Sequence, residues 1–396
     1  MPDAGQTVAE AGAESYPRIV AALIRITGDW TLAEDCAQEA LTAALERWPA
    51  DGVPANPGGW LMTVARNKAL DVLRRATVER RKLALLAATP PEETTPPEEG
   101  DVVDDRLRLI FTCCHPALAL EARVALTLRT IAGVPTGDIA RGFLVTESTM
   151  TRRLTRAKSR IAEAGIPYRV PEGAALTERL PGVLGVLYLL FTRGYDADGE
   201  PAFAEEAIRL ARLLRELMPG EAEVSALLAL FLLQHSRRAA RRDEHGQLVT
   251  LEKQDRARWD HAAIAEASSL IPESGGPYAL QARIAACHVA SPTDWPVVAA
   301  LYDELVQVVP SPVVALNRAV AHGFAHGGAA GLTLLAEARA GGGLDGYPYA
   351  IAAEAELTAR AGDSERAVSL FEEAAAAAAS EPERRALLAR AEELTK

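Results

Sequence analysis

The chain has 396 residues, 49% hydrophobic and 24% charged, with a formal net charge of −12; this is globular composition, and the length suits two or three domains of roughly 100–200 residues. Its 77 alanines against 20 aromatic residues favour helix over strand, so an all-α fold is expected. The longest apolar run, Leu180 to Phe191, is 12 residues, short of the ~20 that cross a bilayer; no signal-peptide h-region is visible, and four cysteines make no disulfide framework, so a cytoplasmic protein without a membrane role is expected.

The first unit spans about 12–88 and reads as three or four helices. Tyr16, Ile19, Leu23 and Ile26 recur at helical spacing. Thr31 and Glu34 have capping-box spacing. From there Leu32, Cys36, Ala40, Leu41 and Leu45 mark an apolar face running to Trp48, while Asp35, Gln38, Glu39, Thr42 and Glu46 point the other way. Asp51–Gly59 is a turn cluster. Trp60 then opens a helix to about Lys82 with Leu61, Val64, Ala65, Val72 and Leu73 as its buried stripe. Between Arg66 and Lys82 lie seven basic residues against Asp71 and Glu79, a net charge of +5 in 17 residues. A solvated helix face and a phosphate-binding face fit that run equally well. Asp71 is expected to pair with Arg74 or Arg75.

Residues 89–100, TPPEETTPPEEG, have no apolar member. Prolines stop helices and the glutamates repel one another, so this is an extended acidic linker.

The second unit, 101–165, has a sharper pattern. A helix from about Glu121 to Ala132 ends at Gly133, and a short helix covers Asp138–Arg141. A tight turn at 142–145 follows, then Thr146 caps a helix to about Ala164. On that last helix Met150, Leu154, Ala157 and Ile161 form one narrow apolar face. Ser148, Thr149, Arg152, Arg156 and Ser159 lie opposite. Two helices joined by a four-residue turn with glycine are a helix-turn-helix pattern, and an Arg/Thr/Ser front suits a major groove. Arg141 to Arg160 again carries +5, so the other 359 residues outside these two stretches carry −22. Such a chain holds phosphates locally without coating DNA elsewhere.

These segments resemble a known family. Leu32-Ala33-Glu34-Asp35-Cys36-Ala37-Gln38-Glu39-Ala40 is similar to the A-E-D-x-x-Q-E helix of bacterial sigma factors of the extracytoplasmic-function class. Trp60-Leu61-Met62-Thr63-Val64-Ala65-Arg66-Asn67 through Arg75 resembles the helix that follows it. Asp138-Ile139-Ala140, Ser148-Thr149-Met150 and Arg156-Ala157-Lys158 resemble the class's helix-turn-helix, with aspartate in place of the usual glutamate at 138 and methionine in place of valine at 150. The resemblance covers about 13–165. It implies that Glu34, Asp35, Gln38 and Glu39 contact core RNA polymerase. It implies that Arg66, Asn67, Arg74 and Arg75 serve the −10 element of promoter DNA, with the Val53–Gly59 loop and Asn67 receiving an extruded base. It further implies that Ser148, Thr149, Arg152, Arg153, Arg156 and Lys158, with Arg160 on the backbone, serve the −35 element.

The third unit, 174–396, carries a repeat. Pro277, Pro312, Pro348 and Pro382 are spaced by 35, 36 and 34 residues, and each opens an alanine-rich helix. Second helices fall at Trp295–Val308, Gly331–Ala340 and Ser364–Ala379, and an earlier pair at Ala202–Leu217 and Glu221–Gln234 precedes an inserted segment, Ser236–Trp259. A period near 34 with paired helices is a tetratricopeptide-like pattern, and such solenoids bind proteins or peptides. Leu180–Gly199 and Gln254–Asp260 resemble the sigma subgroup with a helical-repeat extension, which implies control of activity within the same chain.

Adjacent Cys113, Cys114 and His115 are poorly placed to chelate one tetrahedral ion and read as buried structural groups. His322 and His326 read as a helix face. No phosphate loop, dinucleotide fingerprint or nucleophile elbow is present. The expectation is therefore a non-enzymatic sigma factor with no cofactor or metal. Its partners would be core polymerase, promoter DNA and a protein or peptide ligand of the repeats. A stand-alone helix-turn-helix regulator and a tetratricopeptide scaffold are the alternatives.

Overall fold

The computed structural model describes residues 4–87, 105–131, 133–143, 145–195, 201–244, 247–273, 275–345, 347–378 and 380–395. The acidic linker at 89–100 lies outside them. The fold is all-α: among the described residues the β structure is limited to one isolated bridge between Arg242 and Leu248. The chain divides into two compact units, 1–189 and 190–396.

The first unit begins with α1 (Ala4–Thr27), α2 (Trp30–Asp51) and α3 (Pro57–Ala87), which pack on one another. Gly28 turns the chain at φ +64°, and the Asp29 carboxylate accepts from the Leu32 N–H at 3.1 Å. The start signal of α2 is thus Asp29. The expected Thr31–Glu34 capping box does not form, because Glu34 lies inside the helix and accepts from Trp30 Nε1 at 3.2 Å. The buried face of α2 is Ala33, Cys36, Ala37, Ala40, Ala44 and Trp48, whereas Leu45 is exposed. Small side chains let neighbouring helices approach closely, and the alanine stripe wins the contact over the larger leucine. Asn56 caps α3, which starts at Pro57, three residues before Trp60; its side chain accepts from the Gly59 N–H at 2.9 Å. Leu61, Ala65 and Ala69 are fully buried; Val72, expected in that stripe, is exposed one turn later.

Helix α4 (Asp105–Cys113) was not anticipated, and six of its nine residues are buried: Leu107, Leu109, Ile110, Phe111, Thr112 and Cys113. Its first turn, with Asp105, Arg106 and Arg108, is half-buried, whereas the five residues from Leu109 to Cys113 are buried without a break, so that part shows no one-sided stripe. It packs on α1 and on α5 (Leu120–Thr130). Helices α5, α6 (Thr136–Gly142) and α7 (Glu147–Glu163) touch pairwise as a three-helix cluster. The Thr146 hydroxyl accepts from the Thr149 N–H, and Met150, Leu154, Ala157 and Ile161 are buried, as the pattern predicts.

Helix α8 (Ala174–Tyr195) straddles the division between units. The uninterrupted apolar run understates it: an 18-residue window within Ala174–Gly194 reaches a mean hydropathy of 1.4, and the stretch has the length to cross a bilayer. Val183, Leu184, Val186 and Leu187 are nevertheless buried in the protein, and Arg179 donates to the Phe111 carbonyl while its guanidinium lies 5.7 Å from the centre of that ring.

The second unit contains α9 (Pro201–Leu217), α10 (Ala222–Ser236), α11 (His261–Leu270) and then α12 (Pro277–Val289), α13 (Trp295–Val308), α14 (Pro312–His326), α15 (Gly328–Ala340), α16 (Pro348–Arg360), α17 (Ser364–Ala376) and α18 (Glu381–Leu394). From α12 onward each helix packs on its successor. The repeated prolines fall in the first turns of α12, α14, α16 and α18. Asp294, Ser311, Asp363 and Ser380 cap α13, α14, α17 and α18. The interior is a series of small cores: Leu280, Ile284, Val298, Leu301 and Leu305, then Leu316, Leu335, Leu344 and Leu357, then Leu370, Phe371 and Ala391. The inserted segment 237–260 contains short 3-10 turns, and Glu223 of α10 reaches past it to accept N–H bonds from Gly276, Tyr278 and Ala279 at the start of α12.

Candidate nucleic-acid interface

Asp35, Gln38 and Glu39 stand exposed on the outer face of α2. Glu39 pairs with Lys68 of α3 at 2.9 Å. Glu34 parts company with them. It is turned inward, with its side chain 16% exposed, and forms an ion pair with Lys158 of α7. One residue expected at the polymerase face and one expected at DNA are therefore held against each other.

On α3, Arg66, Asn67, Lys68, Arg74 and Arg75 are all exposed, and Asp71 pairs with Arg74 at 3.5 Å. Nothing is described of the side chains of Arg80, Arg81 and Lys82. Trp60 is half-buried and meets the buried Trp48 edge to face at 5.6 Å, a packing role. A cavity of about 410 Å³ opens beside the turn between α2 and α3. Ser15 and Arg18 of α1 line one side, and Asn56, Gly58, Gly59 and Met62 another. Asn67 lies outside this lining, and Asn56 supplies the amide. Its Oδ1 accepts from the Gly59 N–H. A Cβ on Gly58 would stand 2.6 Å from Ser15 Oγ, so glycine lets the loop close on α1. The sequence reading missed Ser15 and Arg18, which come from a helix 40 residues away and carry no local motif.

On α7, Ser148, Arg152 and Arg156 are exposed opposite the buried stripe. Arg152 folds back on its own helix, donating to the Ser148 carbonyl at 3.3 Å and to Thr149 Oγ1 at 3.4 Å. A second cavity of about 290 Å³ is lined by Leu118, Ala122, Thr149, Arg153, Arg156 and Arg160, among others. Arg153 lies 5.7 Å from the centre of the Phe143 ring. Arg153, Arg156, Arg160 and Thr149 thus give the concavity between α5 and α7 a basic and polar lining.

The cysteines stay clear of both cavities. Cys36, Cys113 and Cys114 are buried. Burial pushes the Cys114 thiol up to about 11, the Thr127 hydroxyl at 3.7 Å opposing it, and holds Cys113 well above the ordinary thiol range. Such thiols are inert. His322 bonds Asp303, which also holds Arg318 at 2.5 Å, a polar tie between α13 and α14.

Residues 13–78 match the family model of sigma-70 region 2, and residues 179–275 match a family of unknown function (DUF6596). A protein of Rhizobium meliloti (strain 1021), described as uncharacterized protein R00370, is 41% identical over 352 residues, with 84% of this chain and 83% of that one covered. The chain belongs to the family of that rhizobial protein. Its α1–α3 form a sigma-70 region 2, which gives it a sigma-factor-like role in transcription initiation, with RNA polymerase and promoter DNA as partners. The exposed basic residues of α3 and the Ser15–Asn56 cavity both lie within this region 2. Among solved structures, the yeast Tom70 crystal structure aligns with 99% of this chain and 84% of its own, at 13% identity and a TM-score of 0.34.

Proposed function

We propose that the chain is a sigma factor of the extracytoplasmic-function class. The observation that carries this reading is the region 2 match at 13–78, joined to a three-helix cluster whose last helix turns Arg152 and Arg156 outward. Asp35, Gln38 and Glu39 meet core polymerase, with Glu34 joining them. Arg66, Arg74 and Arg75 follow the −10 backbone, and Asn67 reads the opening duplex beside them. The cavity of Ser15, Arg18 and Asn56 takes the extruded base: it is a loop-walled site with an amide, a hydroxyl and a guanidinium, as a flipped base requires. Helices α5–α7 are region 4, and Ser148, Thr149, Arg152, Arg153, Arg156 and Lys158 serve the −35 element. The helix pairs of the second unit are a tetratricopeptide-like module that modulates activity through a protein or peptide ligand.

Size exclusion of the full chain with core RNA polymerase tests the reading. Co-elution, together with promoter-specific transcripts from the mixture, is the expected result. A chain that never co-elutes yet binds DNA unaided would be a stand-alone regulator.

A further inference from the structure

We propose that residues 251–256 of the inserted segment are an internal ligand: they occupy the peptide-binding groove of the helix stack, and a partner protein enters that groove by presenting an acidic residue directly followed by a basic one. This deepens the tetratricopeptide-like module reading above and rests on it.

The groove is organised by the stack itself. Arg360, the last residue of α16, holds its guanidinium 3.4 Å from the centre of the Phe324 ring of α14, and that ring leans on Trp295 of α13 at 4.2 Å. Arg360 also donates to Glu356 at 3.1 Å. Arg390 of α18 donates to the same Glu356 at 3.1 Å and to Glu393 at 3.1 Å. Arg360, Glu356, Arg390 and Glu393 thus form a row of alternating charge across α16 and α18. The interior of such a row is neutralised, so its two ends attract charged ligand groups, of opposite sign at each end.

The inserted segment supplies those signs in adjacent residues. Glu252 lies 3.7 Å from Arg360, and Lys253 pairs with Glu393 across 140 residues of sequence. Arg256 donates to the Val289 and Ala290 carbonyls at 3.2 and 2.8 Å, where the end of α12 carries partial negative charge. Glu252 and Arg256 are separated by at most ~14 Å of extended chain. Within that reach the segment touches the ends of α12, α16 and α18, so helices distant in sequence converge on it as on a bound peptide. Both flanks are tethered: the Val249 N–H bonds the Arg241 carbonyl, and the Asp260 N–H bonds the Ser236 carbonyl, each at 2.9 Å. Between the tethers lie only two short 3-10 turns, Leu251–Lys253 and Arg256–Arg258.

These contacts suit exchange. The Glu252 and Lys253 side chains are 67% and 57% exposed, and exposed ion pairs are weak. The Gln254 amide donates to the Val249 carbonyl at 3.0 Å, but its Oε1 is buried with no hydrogen-bond partner among the described residues, which works against the seated state. Glu223 docks α12 on α10 directly, so the stack assembles without this segment. The tether gives the segment a local concentration of order millimolar. An outside ligand of the same chemistry competes against that concentration and gains when the segment is detached.

The test titrates a fluorescein-labelled synthetic peptide of residues 247–260 into the full chain, read by fluorescence anisotropy. Glu252→Lys with Lys253→Glu in the chain repels the segment from its seat and should tighten peptide binding about tenfold or more. Reversing the seat, Arg360→Glu with Glu393→Lys, should abolish binding of the native peptide and admit a peptide with its two charged residues exchanged. Recovery by the exchanged peptide identifies recognition, since a chain that had lost its fold would bind neither. Equal binding to the parent and the segment-reversed chain overturns the internal ligand, and binding to neither overturns the groove. A parent dimer in sedimentation velocity that the segment reversal turns into monomers places the segment in a second copy, which also overturns the internal ligand. If promoter-specific transcription ignores the segment reversal, control by the module fails, while the anisotropy still judges the seat.

Discussion

Arg152 and Arg156 project from α7 on the side away from Met150 and Leu154. Arg152→Ala and Arg156→Ala should each weaken promoter occupancy in a footprint, by about 1–3 kcal/mol where the side chain reads a base edge. A phosphate contact would instead lower the salt slope by about one. Asn56→Ala and Asn67→Ala separate the amide that lines the cavity from the one to which the sequence resemblance points. Asn56 lines the cavity, so its loss should reduce permanganate reactivity of the melted −10 strand more than duplex binding; Asn67→Ala should affect melting less. His288 offers a prediction in pH. Burial beside the Trp295 ring, with the Arg237 charge adding, pushes it down from 6.5 to about 4. Between those values the unfolded chain binds a proton that the folded chain refuses. Stability is therefore full above about pH 6.5 and falls as pH drops toward 4, by up to about 3 kcal/mol. Urea midpoints of a His288→Phe variant should show a flatter acid limb than the parent.

At the scale of elements, glycines within helices divide into two kinds. A Cβ on Gly331 of α15 would meet the Ala319 carbonyl oxygen at 2.8 Å and Gly323 Cα at 2.9 Å, so α14 and α15 approach backbone to backbone there. Gly182 and Gly185 of α8 have nothing within 4 Å of that position. Gly331→Ala should destabilise by about 1–2 kcal/mol, overpacking outweighing the gain in helix propensity. Gly182→Ala should stabilise by about 1 kcal/mol in the same denaturation assay. The repeated helix pairs were legible because a proline or a capping residue marks every start from α12 to α18 except that of α15, which begins at Gly328 and not at the expected Gly331. Helix α7 was legible because one side meets protein and the other water. Helix α4 was not, since it is short and its unbroken buried run Leu109–Cys113 carries no period, and the face of α2 was misjudged at Leu45 because close helix contact prefers alanine to bulk. The cavity was half legible: its loop announced itself through Pro57, Gly58 and Gly59, but Ser15 and Arg18 arrive from tertiary packing.

At the scale of the molecule, the division at 189/190 sets where the chain can be cut. A boundary at residue 174, natural from the break at 165–173, would strip Arg179 from Phe111 and remove seven buried residues of α8, Leu180, Val183, Leu184, Val186, Leu187, Leu190 and Phe191. Residues 1–195 should therefore melt at a higher temperature than 1–173, and a thermal scan of the two fragments checks it. The carboxylate of Glu223, bonded to the N–H groups of Gly276, Tyr278 and Ala279, has a consequence for engineering. It docks α12 onto α10 directly, so the 24 residues of 237–260 need not set the register of the helices that follow. A fluorescent protein or affinity handle spliced between Asp243 and Gln247, where the chain already doubles back on itself, has a graft point that leaves the helix stack undisturbed.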